Sequence, residues 1–161
     1  MYAGIIDHYE AGGEKLNGAL SGLSREDLLW QPQDPALGRW SIQQIVMHLR
    51  DSDLIWCNRM KSMIAEENPA FLGYDESKFS QRLLAEEQDA AGAVRLFDLN
   101  RRQLSRVLRK LPESAFSRTG QHNERGTITL GQSLQWMVEH VDHHIAFIRR
   151  KRDKLGKLWK E

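Results

Sequence analysis

Three of the six histidines in this chain fall within five residues, in the stretch WMVEHVDHHIAFIRR from Trp136 to Arg150. Imidazole is the commonest metal ligand among side chains and also exchanges protons near neutral pH, so such a cluster can bind a divalent ion or take part in acid–base chemistry. His140 and His144 are four residues apart, which places both imidazoles on one side of a helix and within reach of one ion.

Helical periodicity gives each of these imidazoles a direction. The core-facing positions of this helix are Leu134, Met137, Val138, Val141, Ile145 and Ile148. His144 lies roughly 70° and His140 roughly 110° to the same side of the centre of that face, whereas His143 points roughly 170° away from it. We therefore expect His143 to face solvent and the other two histidines to lie on one flank. A half-buried flank without a metal is the alternative interpretation of such a pair.

A third candidate ligand, His48, lies in another predicted helix, roughly 100° from the centre of its apolar face. Helix bundles build metal sites from side chains on facing helices, so His48 can complete a site with His140 and His144. Three neutral imidazoles suit Zn²⁺, Ni²⁺ or another borderline divalent ion, and they leave coordination positions for water or substrate. The sequence therefore predicts one divalent metal ion, with zinc or nickel favoured.

Helices must position these residues, because apolar residues recur along most of the chain with the helical period of 3.6 residues. No convincing alternation of apolar and polar residues, which would indicate strands, is present. The predicted helices cover about residues 3–21, 41–66, 77–110 and 129–154. Ser41 with Gln44, and Thr129 with Gln132, form capping boxes at the starts of the second and fourth. We expect an all-α protein, a four-helix bundle that forms one domain over residues 1–161.

Composition excludes several classes of partner. The 23 Lys and Arg residues nearly balance the 22 Asp and Glu residues, and they are interleaved with them, which does not favour nucleic acid. Cys57 is the only cysteine, so an internal disulfide is excluded and a reducing compartment is favoured. No apolar stretch approaches the roughly 18 residues that a membrane span needs, and the N-terminus does not resemble a signal peptide. We expect a cytoplasmic protein that acts on a small molecule, without a membrane or nucleic-acid partner.

Two motifs resemble those of the DinB/YfiT-like family of four-helix-bundle metalloproteins: WSIQQIVMHLRDSD, from Trp40 to Asp53, and TLGQSLQWMVEHVDHHIAFI, from Thr129 to Ile148. The resemblance extends over essentially the whole chain in helix order and spacing. It implies an up-and-down bundle, His48, His140 and His144 as the ligands of a metal near one end, water in the remaining positions, and frequently a homodimer.

The resemblance also implies a class of chemistry. Members of this family include transferases and isomerases that use low-molecular-weight thiols such as bacillithiol or mycothiol, and others are named as metal-dependent hydrolases. We therefore predict a metal-dependent S-transferase that joins a low-molecular-weight thiol cosubstrate to a small electrophile. A metal-dependent hydrolase, a non-catalytic metal-containing module for ligand binding or stress response, and a purely structural bundle are the alternatives.

Five further residues are candidates for a second shell or a substrate pocket. Asp53 lies near the core centre of the second predicted helix, where it can hydrogen-bond either a ligand imidazole or a neighbouring helix. Arg101 intrudes on the apolar face of the third helix, either near a bundle edge or as an anchor for a substrate carboxylate. Arg118, His122 and the nearby Arg125 lie in the glycine-containing segment before the fourth helix, where they either contact an anionic thiol or face solvent.

Overall fold

The computed structural model describes residues 2–159 of the chain. The domain expected over residues 1–161 therefore includes Met1, Lys160 and Glu161, which lie outside the described residues. The helices are α1 (Ala3–Leu20), α2 (Arg25–Leu29), α3 (Ile42–Ala65), α4 (Glu76–Arg82), α5 (Ala90–Leu108) and α6 (Leu130–Lys154). The strands are β1 (Ala70–Phe71), β2 (Thr119–His122) and β3 (Gly126–Thr129). None of the described helices is both long and apolar enough to cross a lipid bilayer.

Both predicted capping boxes are confirmed, and they begin the two helices that carry the clustered histidines. The Ser41 hydroxyl accepts a hydrogen bond from the backbone N–H of Gln44 at 3.1 Å, and the Gln44 side chain accepts one from the Ser41 N–H at 2.9 Å. Thr129 and Gln132 form the same pair of bonds at the start of α6. Each box satisfies N–H groups that the first turn leaves without intrahelical partners, which fixes where the helix starts.

The four long helices α1, α3, α5 and α6 form the bundle, but two pairs of consecutive helices, α1 with α3 and α5 with α6, are not neighbours in it. The main contacts of α1 and of α3 are with α5 and α6, so α1 lies diagonally opposite α3. Tyr2 lies beside Gly131, and the Arg152 guanidinium donates to the carbonyl of Ala19 at 2.9 Å, so α1 and α6 run parallel. The two long segments at residues 21–41 and 109–129 allow these diagonal connections.

The remaining directions follow from contacts of α5 and α3. Asp7 pairs with Arg109 near opposite ends of their helices, so α5 is antiparallel to α1. Trp56 contacts Trp136 while His48 contacts the later His140, so α3 is antiparallel to α6. Taken in chain order, α1 therefore runs up, α3 and α5 run down, and α6 runs up. The predicted up-and-down connectivity is wrong, because connections of this length do not force adjacent antiparallel helices.

The third predicted helix, about residues 77–110, is also wrong in its first half. After α4, Leu84 adopts a left-handed backbone conformation with φ 54°, and a 3₁₀ turn follows at Ala85–Glu87. The buried side chain of Gln43 on α3 donates to the carbonyls of Ala85 at 3.0 Å and Gln88 at 2.7 Å. Because this amide satisfies carbonyls that a continuous helix would pair internally, the break is stable, and Asp89 caps α5 afresh.

A small three-stranded sheet corrects the all-α prediction. Strand β2 pairs with β1 in parallel and with β3 in antiparallel orientation. Gly126 has φ 69° at the turn between β2 and β3, a conformation that favours glycine. Gly120 in β2 packs directly against the ring of Phe71. Strands of two to four residues are too short to produce a recognisable period-two pattern, which is why the sequence does not reveal them.

The bundle core consists of two layers of buried side chains along its length. One contains Tyr9, Trp56, Met60, Leu104, Leu134 and Met137, together with Phe71 and Ile128 from the sheet. The other contains Leu16, Ile42, Ile45, Phe97, Val141, Ile145 and Ile148. The clustered histidines lie where α3 and α6 face each other between these layers, so packing of the two helices determines their separation.

Candidate metal centre

Three imidazoles converge between α3 and α6. His48 of α3 and the pair His140 and His144 of α6 each offer one nitrogen, and these three atoms all lie within 4.8 Å of one another. The Nε2 atoms of His48 and His140 are 2.8 Å apart. His48 is only 6% exposed, and the other two are half-buried. The i, i+4 spacing on α6 brings its two rings to a centroid distance of 4.7 Å.

Burial keeps all three imidazoles in the neutral form. Loss of hydration lowers the pKa of His48 from 6.5 to about 4. Burial, followed by the neighbouring His48, lowers the pKa of His140 to about 3. Burial, followed by His140, lowers the pKa of His144 to about 2. Neutral imidazole has the free lone pair that metal coordination requires. The three imidazoles can therefore act as metal ligands at neutral pH.

The donor set fits a divalent cation. The Nδ1 atom of His144 is buried and has no hydrogen-bond partner among the described residues. Buried polar atoms are almost always paired, so an unpaired nitrogen within a group of convergent imidazoles indicates a missing electrophilic partner. Three histidines would leave a coordination position open, as catalytic zinc sites do, whereas structural zinc sites have four protein ligands.

Two residues contact the histidines from outside the cluster. The Glu76 carboxylate on α4 lies 3.9 Å from Nδ1 of His48, and burial raises the pKa of Glu76, with Arg125 opposing that shift. The Trp40 ring lies 4.9 Å from the His48 ring and 6.4 Å from the His144 ring. A carboxylate that accepts a hydrogen bond from a ligand imidazole orients the ring and sets its tautomer, and Glu76 lies just beyond that distance from His48. Sequence reasoning missed Glu76, since an acid in the first turn of a helix already has an explanation in the helix dipole.

A cavity of about 280 Å³ opens beside the cluster, and we call it the Trp136 pocket. Its lining residues are Ser52, Trp56, Glu76, Arg125, Trp136, Met137, Glu139, His140 and His143. The two tryptophans meet edge to face at a centroid distance of 5.9 Å. The Arg125 guanidinium lies 5.1 Å from the Trp136 ring centroid, where cation–π attraction holds it at the pocket wall. The pocket thus combines an apolar wall, a fixed cation and a side chain of the metal centre.

The hairpin formed by β2 and β3 reaches the pocket through Arg125 and supports it through His122. His122 is 4% exposed and stacks on Trp56 with a centroid distance of 6.1 Å and an interplanar angle of 8°. Its Nδ1 accepts a hydrogen bond from the Glu124 N–H at 3.2 Å. Burial, then the charge of Arg59, lowers the pKa of His122. His122 therefore packs behind the tryptophan and does not line the cavity.

Arg118 lies at the other end of α3 and not at the cluster. Its Nε donates to the carbonyl of Met63 at 2.6 Å, and Nη2 donates to the carbonyl of Glu66 at 2.8 Å and to Glu67 at 2.9 Å. The last carbonyls of a helix lack intrahelical partners and attract a cation. Arg118 therefore lies away from the histidine cluster, and its guanidinium contacts the C-terminal end of α3.

Asp53 and Arg101 form a buried ion pair below the cluster. Both side chains are 1% exposed, and Arg101 Nε donates to Asp53 Oδ1 at 2.7 Å. The guanidinium also donates to the carbonyls of Tyr9 and Met137, each at 3.0 Å. Burial raises the pKa of Asp53, and the Arg101 charge opposes this. Of the two expectations for Asp53, the bond to a neighbouring helix is the one observed.

Arg101 is therefore central to the bundle and not near its edge. Its donors join α5 to α1, α3 and α6, and its contact on α6 is one turn before His140. The helical wheel placed Arg101 on the apolar face, and the edge interpretation was wrong because Asp53 and two carbonyls compensate the buried charge. The pair holds α3 and α6 together beside the histidines.

The sequence profile of the DinB superfamily matches residues 8–148. The chain belongs to the DinB superfamily. YfiT of Bacillus subtilis, whose name proposes a metal-dependent hydrolase, is 32% identical over 74% of this chain and 67% of its own length. A similarly named protein of Oceanobacillus iheyensis is 31% identical over 69% of this chain and 64% of its own length. The chain thus spans about two thirds of these relatives.

Solved structures show the same architecture. YfiT from Bacillus subtilis, described as having an unusual four-helix bundle topology, superposes with a TM-score of 0.88 at 30% identity, covering 98% of this chain and 87% of that one. A mycothiol-dependent maleylpyruvate isomerase superposes with a TM-score of 0.70 at 15% identity, covering 92% of this chain and 60% of that one. At that identity, the second likeness shows the fold alone.

Proposed function

We propose that this protein is a metal-dependent enzyme that holds one divalent ion, zinc or nickel, with His48, His140 and His144. The observation that carries this proposal is the convergence of three neutral imidazole nitrogens within 4.8 Å at the edge of the Trp136 pocket. A divalent ion bound there would lower the pKa of a thiol or a water molecule that it contacts.

The leading reaction is transfer of a low-molecular-weight thiol to a small electrophile. The thiol occupies the Trp136 pocket, where Trp56 and Trp136 exclude water from its apolar part. Arg125 pairs with a carboxylate of the thiol, since its guanidinium is already held at the wall. The thiol proton leaves to solvent, sulfur forms a bond to the electrophilic carbon, and the leaving group departs with the electron pair of the broken bond.

Hydrolysis is the second candidate, and the position of Glu76 favours it. This carboxylate faces His48 and lines the same pocket, so it can accept a proton from an attacking water. The water oxygen then forms a bond to the electrophilic carbon, and the leaving group departs with the electron pair of the broken bond. The names of the relatives from Bacillus and Oceanobacillus support hydrolysis, whereas the mycothiol-dependent isomerase shows only that this fold can accommodate thiol chemistry.

The two reactions are separated by assaying zinc-loaded and nickel-loaded protein with and without thiols. Glutathione, bacillithiol and mycothiol are tested with an electrophilic chloroarene, and activated esters are tested without thiol. Thiol transfer predicts a rate that needs both metal and thiol and is lost in His144→Ala but kept in the control His8→Ala, whose half-exposed side chain on α1 lies outside the histidine cluster and the Trp136 pocket. A metal-dependent rate without thiol that Glu76→Gln abolishes identifies a hydrolase instead.

Two other outcomes contradict an enzymatic role. Saturable binding of a thiol without product, in fully metal-loaded protein, would indicate a non-catalytic binding module. A chain that takes up no metal would indicate a structural bundle in which the histidines are incidental.

A further inference from the structure

A second cavity, of about 200 Å³, adjoins the metal centre, and we call it the Phe147 pocket. Trp40, Ile45 and Phe147 form its apolar wall, Arg39 and Lys151 supply cations, and His144 borders it. Lys151 lines the cavity and is fully buried. No acidic side chain among residues 2–159 lines this cavity, in contrast to the Trp136 pocket with Glu76 and Glu139.

The two cavities lie along one groove between the antiparallel helices α3 and α6. On α6, residues 136–143 line the Trp136 pocket and residues 143–151 line the Phe147 pocket, so His143 is common to both. On α3, Ser52 and Trp56 line the first cavity and Ile45 the second, with His48 between them in the chain. The three clustered histidines therefore separate the two cavities, and each cavity is bordered by one imidazole of the metal centre.

Lys151 has an incomplete set of partners. Its side chain is 0% exposed, and its ammonium donates to the carbonyl of Leu37 and lies 5.3 Å from the Phe147 ring centroid. No carboxylate within the described part of the chain pairs with it, although an ammonium has three donors. Burial, then the charge of Arg150, lowers the pKa of Lys151 to about 8. Buried cations are normally paired with an anion, so this pocket contains an uncompensated charge.

We propose that the Phe147 pocket binds the electrophilic substrate, an apolar ring compound with one acidic group that pairs with Lys151, while the thiol occupies the Trp136 pocket. This proposal rests on the proposed function, because transfer between two organic substrates needs two sites that meet at the metal centre. An apolar protein cavity of about 150 Å³ accommodates benzene, so the volume suits a single ring with a substituent.

Benzoate and its neutral counterpart benzamide test this assignment by calorimetric titration of zinc-loaded and metal-free protein. We expect benzoate to bind at least about tenfold more tightly than benzamide, since a charge-assisted bond is made only by the carboxylate. Lys151→Met should remove this preference in both metal states. Arg125→Gln, which changes a cation of the other pocket, should leave the benzoate affinity within about twofold of wild type.

Phe147→Ala provides a second variant, because Phe147 is half-buried and its truncation is less disruptive to the fold than loss of buried Lys151. It should weaken benzoate and benzamide alike. Benzoate affinity that is unchanged in both Lys151→Met and Phe147→Ala, that is lost in Arg125→Gln, or that depends only on the zinc overturns the assignment. Metal content and thiol turnover of the same samples test the proposed function separately, since the titration of metal-free protein still reports on the pocket if no metal is bound.

Discussion

Each of the clustered imidazoles loses hydration when α3 and α6 pack together, and this loss decides its protonation state. An imidazole in the unfolded chain titrates near pH 6.5, whereas burial lowers the pKa values in the fold to between about 4 and about 2. The unfolded chain therefore binds protons that the fold rejects. Below pH 6.5 this difference stabilises the unfolded state relative to the fold. The free energy of unfolding therefore keeps falling as the pH is lowered, until the pKa values of the folded protein are reached.

We therefore expect the free energy of unfolding of metal-free protein to fall between pH 7 and pH 5, by about 2 kcal/mol for each imidazole that stays neutral. In His140→Gln the decrease should be smaller by about that amount. Urea denaturation of both proteins in a chelator measures the difference, and the comparison cancels the carboxylates common to both. Equal pH dependence in the two proteins would show that His140 is protonated as readily in the fold as in the unfolded chain.

The Asp53–Arg101 pair makes a separate prediction at the residue scale. In Asp53→Asn, the Arg101 guanidinium keeps its two carbonyl partners but loses its counter-charge while fully buried. Removing one partner of such a pair destabilises a protein by about 3–5 kcal/mol. Urea denaturation measures this change. The matched control is Asp98→Asn, which removes the charge of the partly exposed i, i+4 partner of Arg102 and should leave stability close to wild type. Similar stability of the two variants would contradict a central role for the buried pair.

At the scale of elements, the sequence predicts what local chemistry determines. The starts of α3 and α6 were predictable because each capping box needs only residues three apart, Ser41 with Gln44 and Thr129 with Gln132. The break in the helix before α5 could not be predicted in this way. It depends on the Gln43 amide, which is distant in sequence from the carbonyls that it contacts.

The candidate site shows the same division between local and distant information. The flank positions of His48, His140 and His144 follow from periodicity within each helix, but Glu76 reaches His48 only through the fold. Arg101 was on the apolar face of its helical wheel, yet its counter-charge Asp53 is 48 residues away in sequence. Which helices are diagonal is likewise decided by packing, because long connections permit several arrangements.

In the proposed function the sheet matters because its hairpin carries Arg125, which lines the Trp136 pocket, and His122, which stacks on Trp56. Gly120→Ala should destabilise the protein by about 1–3 kcal/mol, since a Cβ there would overlap the Phe71 ring. Thermal and urea denaturation measure this, and weaker thiol binding should accompany it. Gly4→Ala, at an exposed position in the first turn of α1, is the control and should be neutral or stabilising, because a Cβ there meets no atom within 4 Å. An unaffected Gly120→Ala protein would mean that β1 moves freely to accommodate the methyl group.

At the scale of the whole molecule, the homodimer remains a prediction. The exposed apolar residues on α3 and α5 are Leu54, Leu96, Leu99 and Val107. We expect sedimentation velocity to give about twice the chain mass of 18.6 kDa, and Leu99→Glu to shift the protein to monomer. The control is Leu158→Glu, which changes an exposed leucine near the C-terminus, outside α3 and α5. This variant should remain dimeric. A monomeric wild-type protein would contradict this prediction.

The metal centre is the central claim, and metal content tests it most directly. Untagged protein purified without chelator is analysed by plasma mass spectrometry as wild type, His144→Ala and the adjacent control His143→Ala. We expect about one divalent ion per chain in wild type and His143→Ala, and none in His144→Ala. Absence of metal from all three proteins after incubation with zinc and nickel, or an undiminished ion in His144→Ala, would contradict a three-histidine centre.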